Sequence, residues 1–73
     1  MDKKELQVKI GKRIKELREL KNISQIDLAS ACNFEKSNMN RIESGNTCPS
    51  IYTLYKIAQN LEVRITEITN VEG

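Results

Sequence analysis

Apolar residues recur at intervals of three and four along most of the chain, a spacing that places them on one face of a helix. Five segments follow this pattern, in order: residues 3–21, 24–32, 35–44, 51–61 and 64–69. No segment shows the strict alternation typical of a half-buried strand. The short connections between these helices favour a compact all-α bundle.

Cap residues mark where several of these helices begin and end. Ser24 is an N-cap residue, because its hydroxyl can accept from the free N–H groups of the next turn. Asn22 and Asn33 tolerate the left-handed conformation that ends a helix, and Gly45 is suited to the same task. Gly11 lies inside the first helix, where it costs about 1 kcal/mol relative to Ala. That cost predicts a close approach at Gly11 by another helix or by a DNA backbone.

Residues 24–44 form the most informative stretch, because they predict two short helices joined by a tight turn. Met39 and Ile42 of the second of these helices face inward, and Phe34 can fill the corner between them. The outward positions are polar: Lys36, Ser37, Asn38, Asn40 and Arg41. A helix, a short turn and a helix with an outward hydrogen-bonding face are the plan of a helix-turn-helix DNA-binding motif.

Length and charge agree with a small DNA-binding domain. Residues 1–73 are long enough for one domain with one core. Residues 1–41 carry ten Lys or Arg against six Asp or Glu, a net charge of +4, whereas residues 42–73 carry a net charge of −2. A basic half suits the phosphates of double-stranded DNA. A solvated helix surface laced with salt bridges would give the same charges.

Composition argues against several other classes of protein. No apolar run approaches the roughly 18 residues of a membrane span, and the charged start lacks the apolar region of a signal peptide, so a cytoplasmic protein is expected. Cys32 and Cys48 are expected to be free thiols, with Cys32 in the core. The chain has no His and no CxxC pair, so no metal site is expected. It also lacks a glycine-rich phosphate loop, so neither an enzyme, a cofactor nor a small-molecule ligand is expected.

Four short motifs occur in a fixed order: SQxxLA from residue 24, RIExG from 41, PS from 49 and LxxIAxxL from 54. Together they resemble the phage Cro/CI repressor-like helix-turn-helix domains, the XRE-type regulators, over roughly residues 8–69. The resemblance implies a five-helix, lambda-repressor-like fold. It also implies a transcriptional regulator, with repression the expected outcome, that binds a palindromic operator as a homodimer.

The same resemblance assigns contacts to DNA residue by residue. Base contacts fall on Lys36, Ser37, Asn40 and Arg41. Lys and Arg suit the O6 and N7 acceptors of guanine, and Asn suits N6 and N7 of adenine. The resemblance assigns a phosphate contact to Gln25, at a helix N-terminus that favours an anion. Ser24, Asn38 and Ser44, which lie in the same two helices or directly before or after them, are further candidates for phosphate contacts. For each residue alone, the alternative is an ordinary exposed side chain.

Two further assignments concern structure. Arg18 and Glu43 match an ion pair that the family forms between the first and third helices, although two independent surface charges would also fit. Residues 60–70 match the region where the family dimerises, with four apolar candidates: Leu61, Val63, Ile65 and Ile68. The alternative is that these four residues only close the core of their own domain.

One other function is compatible with the same helices. A small helical protein–protein interaction module, of an antitoxin or coactivator type, would have little DNA specificity of its own. Sequence-selective, salt-dependent binding to duplex DNA separates this alternative from a transcriptional regulator.

Overall fold

The structure is a computed structural model that describes residues 1–72, so the last position of the predicted domain lies outside the described residues. Five helices follow one another: α1 Lys3–Leu20, α2 Gln25–Ala31, α3 Lys36–Glu43, α4 Ile51–Leu61 and α5 Ile65–Thr69. The described part of the chain contains no strand, in agreement with the predicted all-α class. None of these helices combines the length and the apolar character needed to cross a membrane.

The helix ends differ from the predicted ends by about one residue, because cap residues leave the helical conformation. Ser24 is extended rather than helical, and its hydroxyl accepts from the Asp27 N–H at 3.0 Å. Ser50 caps α4 in the same way, accepting from the Thr53 N–H at 3.1 Å. Such caps satisfy backbone donors that have no partner within the helix. Asp2 caps α1, a role that the sequence analysis did not assign.

Four residues with positive φ turn the chain between helices. Asn22, Asn33 and Gly45 have φ angles of 57°, 60° and 78°, as their residue types predicted. Glu62 has a φ of 58° and ends α4, which no residue preference indicated. The chain imposes this conformation because Val63 must turn back to pack against the core.

All five helices contribute to one buried apolar cluster. Its members include Ile14, Leu28, Met39, Ile57, Leu61 and Ile68, each almost fully buried. Leu61 and Ile68 are 0% exposed, so they have no surface left for a second copy of the chain. The expectation that these two residues form a dimer interface is therefore wrong: they close the domain's own core. Leu6, near the start of α1, is 41% exposed and lies outside this cluster.

Gly11 marks the closest approach of α1 to α3. A Cβ atom built at this position would lie 2.6 Å from the Glu43 carbonyl oxygen and still closer to that of Ile42. Real side chains do not make contacts this short, so only glycine fits without a shift of backbone. The close approach predicted at Gly11 is therefore made by another helix, α3.

Gly11→Ala is expected to destabilise the protein, although alanine is the better helix former. The propensity gain of about 1 kcal/mol is outweighed because the colliding atoms are backbone carbonyls and cannot rotate away. Because backbone atoms must move, we expect a cost of about 3 kcal/mol, at the upper end of the usual range for overpacking. The net loss of about 2 kcal/mol should lower Tm by roughly 10 °C. Thermal melts measure this, with Lys12→Ala on the exposed side of α1 as the control. A Tm at or above that of the parent protein would contradict the packing described here.

Candidate nucleic-acid interface

The outward face of α3 brings together the four predicted base-contacting residues. Lys36, Ser37, Asn40 and Arg41 are all exposed and line one shallow depression of about 440 Å³. On the opposite side of the helix, Met39, Ile42 and Glu43 are buried, so this face cannot turn inward. The helix therefore presents one amide, one hydroxyl and two cationic groups to solvent at a single location.

Some of the polar side chains on and next to this face already make hydrogen bonds within the protein. The Asn38 side chain is half-buried, and its Oδ1 accepts a long bond of 3.4 Å from Nη2 of Arg41. The Ser44 hydroxyl donates to the Arg41 carbonyl at 3.2 Å and accepts from Nδ2 of Asn46 at 3.1 Å. The Arg41 guanidinium is thus only weakly held and stays available to an external acceptor.

A buried ion pair lies directly behind α3. Nε of Arg18 donates to Oε2 of Glu43 at 2.7 Å, and Nη2 donates to Oε1 at 3.1 Å. Nη1 of Arg18 donates to the Ile23 carbonyl at 2.8 Å, so the guanidinium also binds the loop after α1. Both residues are only 8% exposed. Hydrogen bonding to Glu43 raises the pKa of Arg18 above its usual value, so the guanidinium stays protonated.

Gln25 extends this network toward the surface. Its Nε2 donates to Oε1 of Glu43 at 3.1 Å, which leaves the second N–H of the same amide for another acceptor. The side chains around Gln25 line a depression of about 270 Å³: Lys15, Arg18, Gln25, Asn40, Glu43 and Ser44. Lys15 was not among the predicted DNA contacts. Lys15 lies three residues before Arg18, so the two side chains share one face of α1.

An aromatic contact holds the turn between α2 and α3 against α4. Nζ of Lys56 lies 5.1 Å from the ring centre of Phe34 and 5.7 Å from that of Tyr52. These distances are typical of cation–π contacts. Phe34 is half-buried and packs on the core, as expected of a residue that fills the corner of the motif. The hydroxyl oxygen of Tyr55 accepts from Gln59 at 2.9 Å.

The helix-turn-helix arrangement agrees with a comparison to known families. The model of HTH_3, a helix-turn-helix family, matches residues 14–68. The chain belongs to the HTH_3 family. The match covers α2, α3 and α4 entirely, together with residues 14–20 of α1 and most of α5. It confirms the resemblance to XRE-type regulators that the sequence motifs indicated.

Individual relatives of this HTH_3 chain agree with the family assignment. The ImmF control region 10 kDa protein of Bacillus phage phi105 is 32% identical over 66 residues, which cover 88% of this chain and 73% of that protein. The solved structure of the restriction-modification controller protein C.AhdI from Aeromonas hydrophila is also 32% identical. It superposes with a TM-score of 0.82 over 85% of this chain and 94% of its own.

A third comparison is with a larger protein. An HTH_3 family transcriptional regulator from Vibrio cholerae is 28% identical, with a TM-score of 0.87. The match covers 94% of this chain but 39% of that one. The five-helix HTH_3 fold is therefore confirmed by solved structures. HTH_3 proteins are DNA-binding transcription regulators and not enzymes, so this chain is a DNA-binding regulator.

The two cysteines and the predicted interface residues of the HTH_3 domain differ in their exposure to solvent. Cys32 is buried, and burial raises the pKa of its thiol, so it stays neutral. Cys48 is exposed in the loop before α4. Within residues 1–72, no three His, Cys, Asp or Glu side chains are grouped so that they could bind a metal ion. Of the four predicted interface residues, only Val63 and Ile65 retain exposed surface.

Proposed function

We propose that this chain is a sequence-specific repressor that reads duplex DNA with α3 and binds a palindromic operator as a homodimer. Residues 1–73 would act as a single helix-turn-helix domain. The observation that carries the proposal is the joint exposure of four side chains on one face of α3: Lys36, Ser37, Asn40 and Arg41. Behind that face, the buried pair of Arg18 and Glu43 holds the helix at a defined angle.

The chemistry of these side chains suits base edges in the major groove. Lys36 and Arg41 are cationic donors that match guanine O6 and N7, and the Asn40 amide matches adenine N6 and N7. Ser37 can donate to or accept from either base. The eight residues of α3 span about 12 Å, comparable to the width of the major groove. A helix of this length contacts few base pairs, which favours two copies on two half-sites.

Phosphate contacts would orient this helix on the duplex. We assign them to Gln25, whose second amide N–H is not used by Glu43, and to Ser24, whose hydroxyl can still donate. Ser44 follows α3 and must give up its bond to the Arg41 carbonyl to donate to a phosphate. Asn38 lies within α3 and accepts from Arg41 through Oδ1, so its amide N–H groups can donate to a phosphate without loss of that bond. Lys15 adds a positive charge to the same depression and is included in the proposed phosphate surface.

Dimerisation would use the end of the chain near α5. Val63 and Ile65 keep part of their apolar surface exposed, while Leu61 and Ile68 support them from the core. Two copies bound about 34 Å apart would meet both halves of a palindrome on one side of the duplex. A protein bound to a promoter in this way would repress transcription by blocking access to the DNA. This mechanism requires no further binding surface on the protein. The phage protein and C.AhdI, named for a control region and as a controller, support a regulatory role.

A fluorescence-anisotropy titration tests the proposal. The labelled duplex is the DNA upstream of the protein's own gene, a scrambled duplex is the competitor, and two salt concentrations are compared. We expect preferential binding of the native duplex on the order of 10³-fold, retained at the higher salt, with footprints spaced one helical turn apart. Equal and salt-sensitive binding to both duplexes would contradict sequence-specific recognition at this site. An absence of binding would favour the protein–protein interaction module.

A further inference from the structure

One stripe of α1 faces the C-terminal end of α3 and the residues that follow it. The stripe consists of Lys4, Gln7, Val8 and Gly11, which lie on one helix face by their spacing. Nζ of Lys4 donates to the Gly45 carbonyl at 2.8 Å, and Nε2 of Gln7 donates to the same oxygen at 3.0 Å. This carbonyl therefore has two side-chain donors from residues about forty positions earlier in the chain.

The carbonyl of Gly45 is coupled to α3 by short backbone bonds. The Gly45 N–H donates to the Ile42 carbonyl at 3.2 Å, and the Asn46 N–H donates to the Arg41 carbonyl at 2.9 Å. Asn46 also accepts from Nζ of Lys4 through Oδ1 at 3.0 Å. A Cβ at Gly45 would lie 2.7 Å from the Cα of Val8, so the segment has no room to shift toward α1. Displacement of Gly45 must therefore displace the last turn of α3.

Along α1, the side-chain contacts with the end of α3 lie on both sides of Gly11. Gly11 is the crossing point, and Arg18, seven residues later on α1, binds Glu43 about 10 Å along the axis. Gln7 and Lys4 lie four and seven residues earlier, about 6 and 10 Å in the other direction. Two helices held only at a crossing point can rotate about it. Side chains from both directions along α1 bind Glu43 and Gly45, at and just beyond the crossing point on α3, and these bonds restrain that rotation.

We propose that Lys4 and Gln7 are positioning residues that, together with the ion pair, set the angle of α3 and thereby the base selectivity of the protein. The inference rests on the proposed function, since it concerns how α3 meets DNA. Lys36 lies seven residues before Glu43, about 10 Å from the crossing point. A rotation of about 10° would move it by roughly 2 Å, which is more than the tolerance of a hydrogen bond to a base.

A different role for Lys4 makes a different prediction. If its ammonium contacted a DNA phosphate, its removal would weaken binding to all duplexes alike and reduce the salt dependence by about one ion. A positioning residue acts on the native duplex alone, because only base contacts need the exact angle of α3. Gln7 has no charge, so it separates the two roles with no change in net charge.

The test compares Gln7→Met, Lys4→Met and Lys4→Arg, with Lys9→Met as the control for loss of an exposed charge on α1. Methionine keeps most of the side-chain length but removes the donors. For Gln7→Met and Lys4→Met we expect a loss of affinity for the native duplex on the order of tenfold. Binding to the scrambled duplex should be unchanged for Gln7→Met and should match Lys9→Met for Lys4→Met. Lys4→Arg retains donors and should restore selectivity.

Amide hydrogen exchange of the free protein supplies a readout that does not depend on DNA. In Gln7→Met, the N–H groups of Gly45 and Asn46 should exchange faster, while those in the middle of α4 remain protected. Unchanged exchange, or an unchanged ratio of native to scrambled affinity, would overturn the inference. If the parent protein itself shows no preference for the native duplex, the proposed function fails. The exchange data then still decide whether Lys4 and Gln7 hold the end of α3.

Discussion

Arg18→Ala is expected to lower the free energy of unfolding by about 3–5 kcal/mol, because it leaves the buried Glu43 carboxylate without its guanidinium. Only the Gln25 amide would still bind that carboxylate. Small domains are stable by about 5–15 kcal/mol, so this loss takes up a large share of the total. Tm should fall by at least about 12 °C in thermal melts followed by circular dichroism.

Two controls show whether burial of the charge is the reason. Glu16→Ala breaks an exposed pair with Arg13, whose closest atoms are 3.9 Å apart, and should change stability by less than about 1 kcal/mol. The double variant Arg18→Met with Glu43→Met removes both buried charges and should be more stable than Arg18→Ala. An Arg18→Ala protein that melts with the parent would show that the pair does not stabilise the domain.

Replacing Lys36, Ser37 and Arg41 together by Ala is expected to abolish selective DNA binding while leaving the fold intact. Each good base contact contributes about 1–3 kcal/mol of discrimination, so losing two cationic contacts and one hydroxyl should reduce the preference for the native duplex at least about 100-fold. All three side chains are exposed, so Tm should stay within a few degrees of the parent value. Anisotropy titrations against native and scrambled duplexes measure the preference.

The matched control removes two positive charges that are not on α3. Lys9→Ala with Lys21→Ala gives the same change in net charge at exposed positions, one on α1 and one at its C-cap. This variant should bind both duplexes more weakly but keep its preference, because phosphate contacts carry no sequence information. If the triple variant keeps its preference for the native duplex, the base-contacting surface proposed for α3 is wrong.

The helices could be predicted because their determinants are local. Each determinant affects only residues a few positions away in the sequence. The determinants are the spacing of apolar residues, the N-caps Ser24 and Ser50, and the left-handed residues Asn22 and Asn33. Glu62 was missed because its left-handed conformation follows from where Val63 must pack, and not from its residue type.

The exposed face of α3 was also predicted, since apolar residues spaced three and four positions apart determine which side of a helix is buried. The roles of individual side chains on that face were assigned from the resemblance to XRE-type regulators, which rests on the order and spacing of the four motifs. The position of Lys15 beside Gln25 was not visible in that local pattern, because Lys15 lies on another helix.

The sequence by itself thus determined the five helices, the Ser24 and Ser50 caps and the polar face of α3, all of which depend on neighbours within about one helical turn. The tertiary structure alone decided which residues meet across the bundle: the carbonyls of α3 at Gly11, the donors of Lys4 and Gln7 at Gly45, and the burial of Leu61 and Ile68. These contacts join residues far apart in the chain. Their geometry depends on how all five helices fill one core, which periodicity along the sequence does not specify.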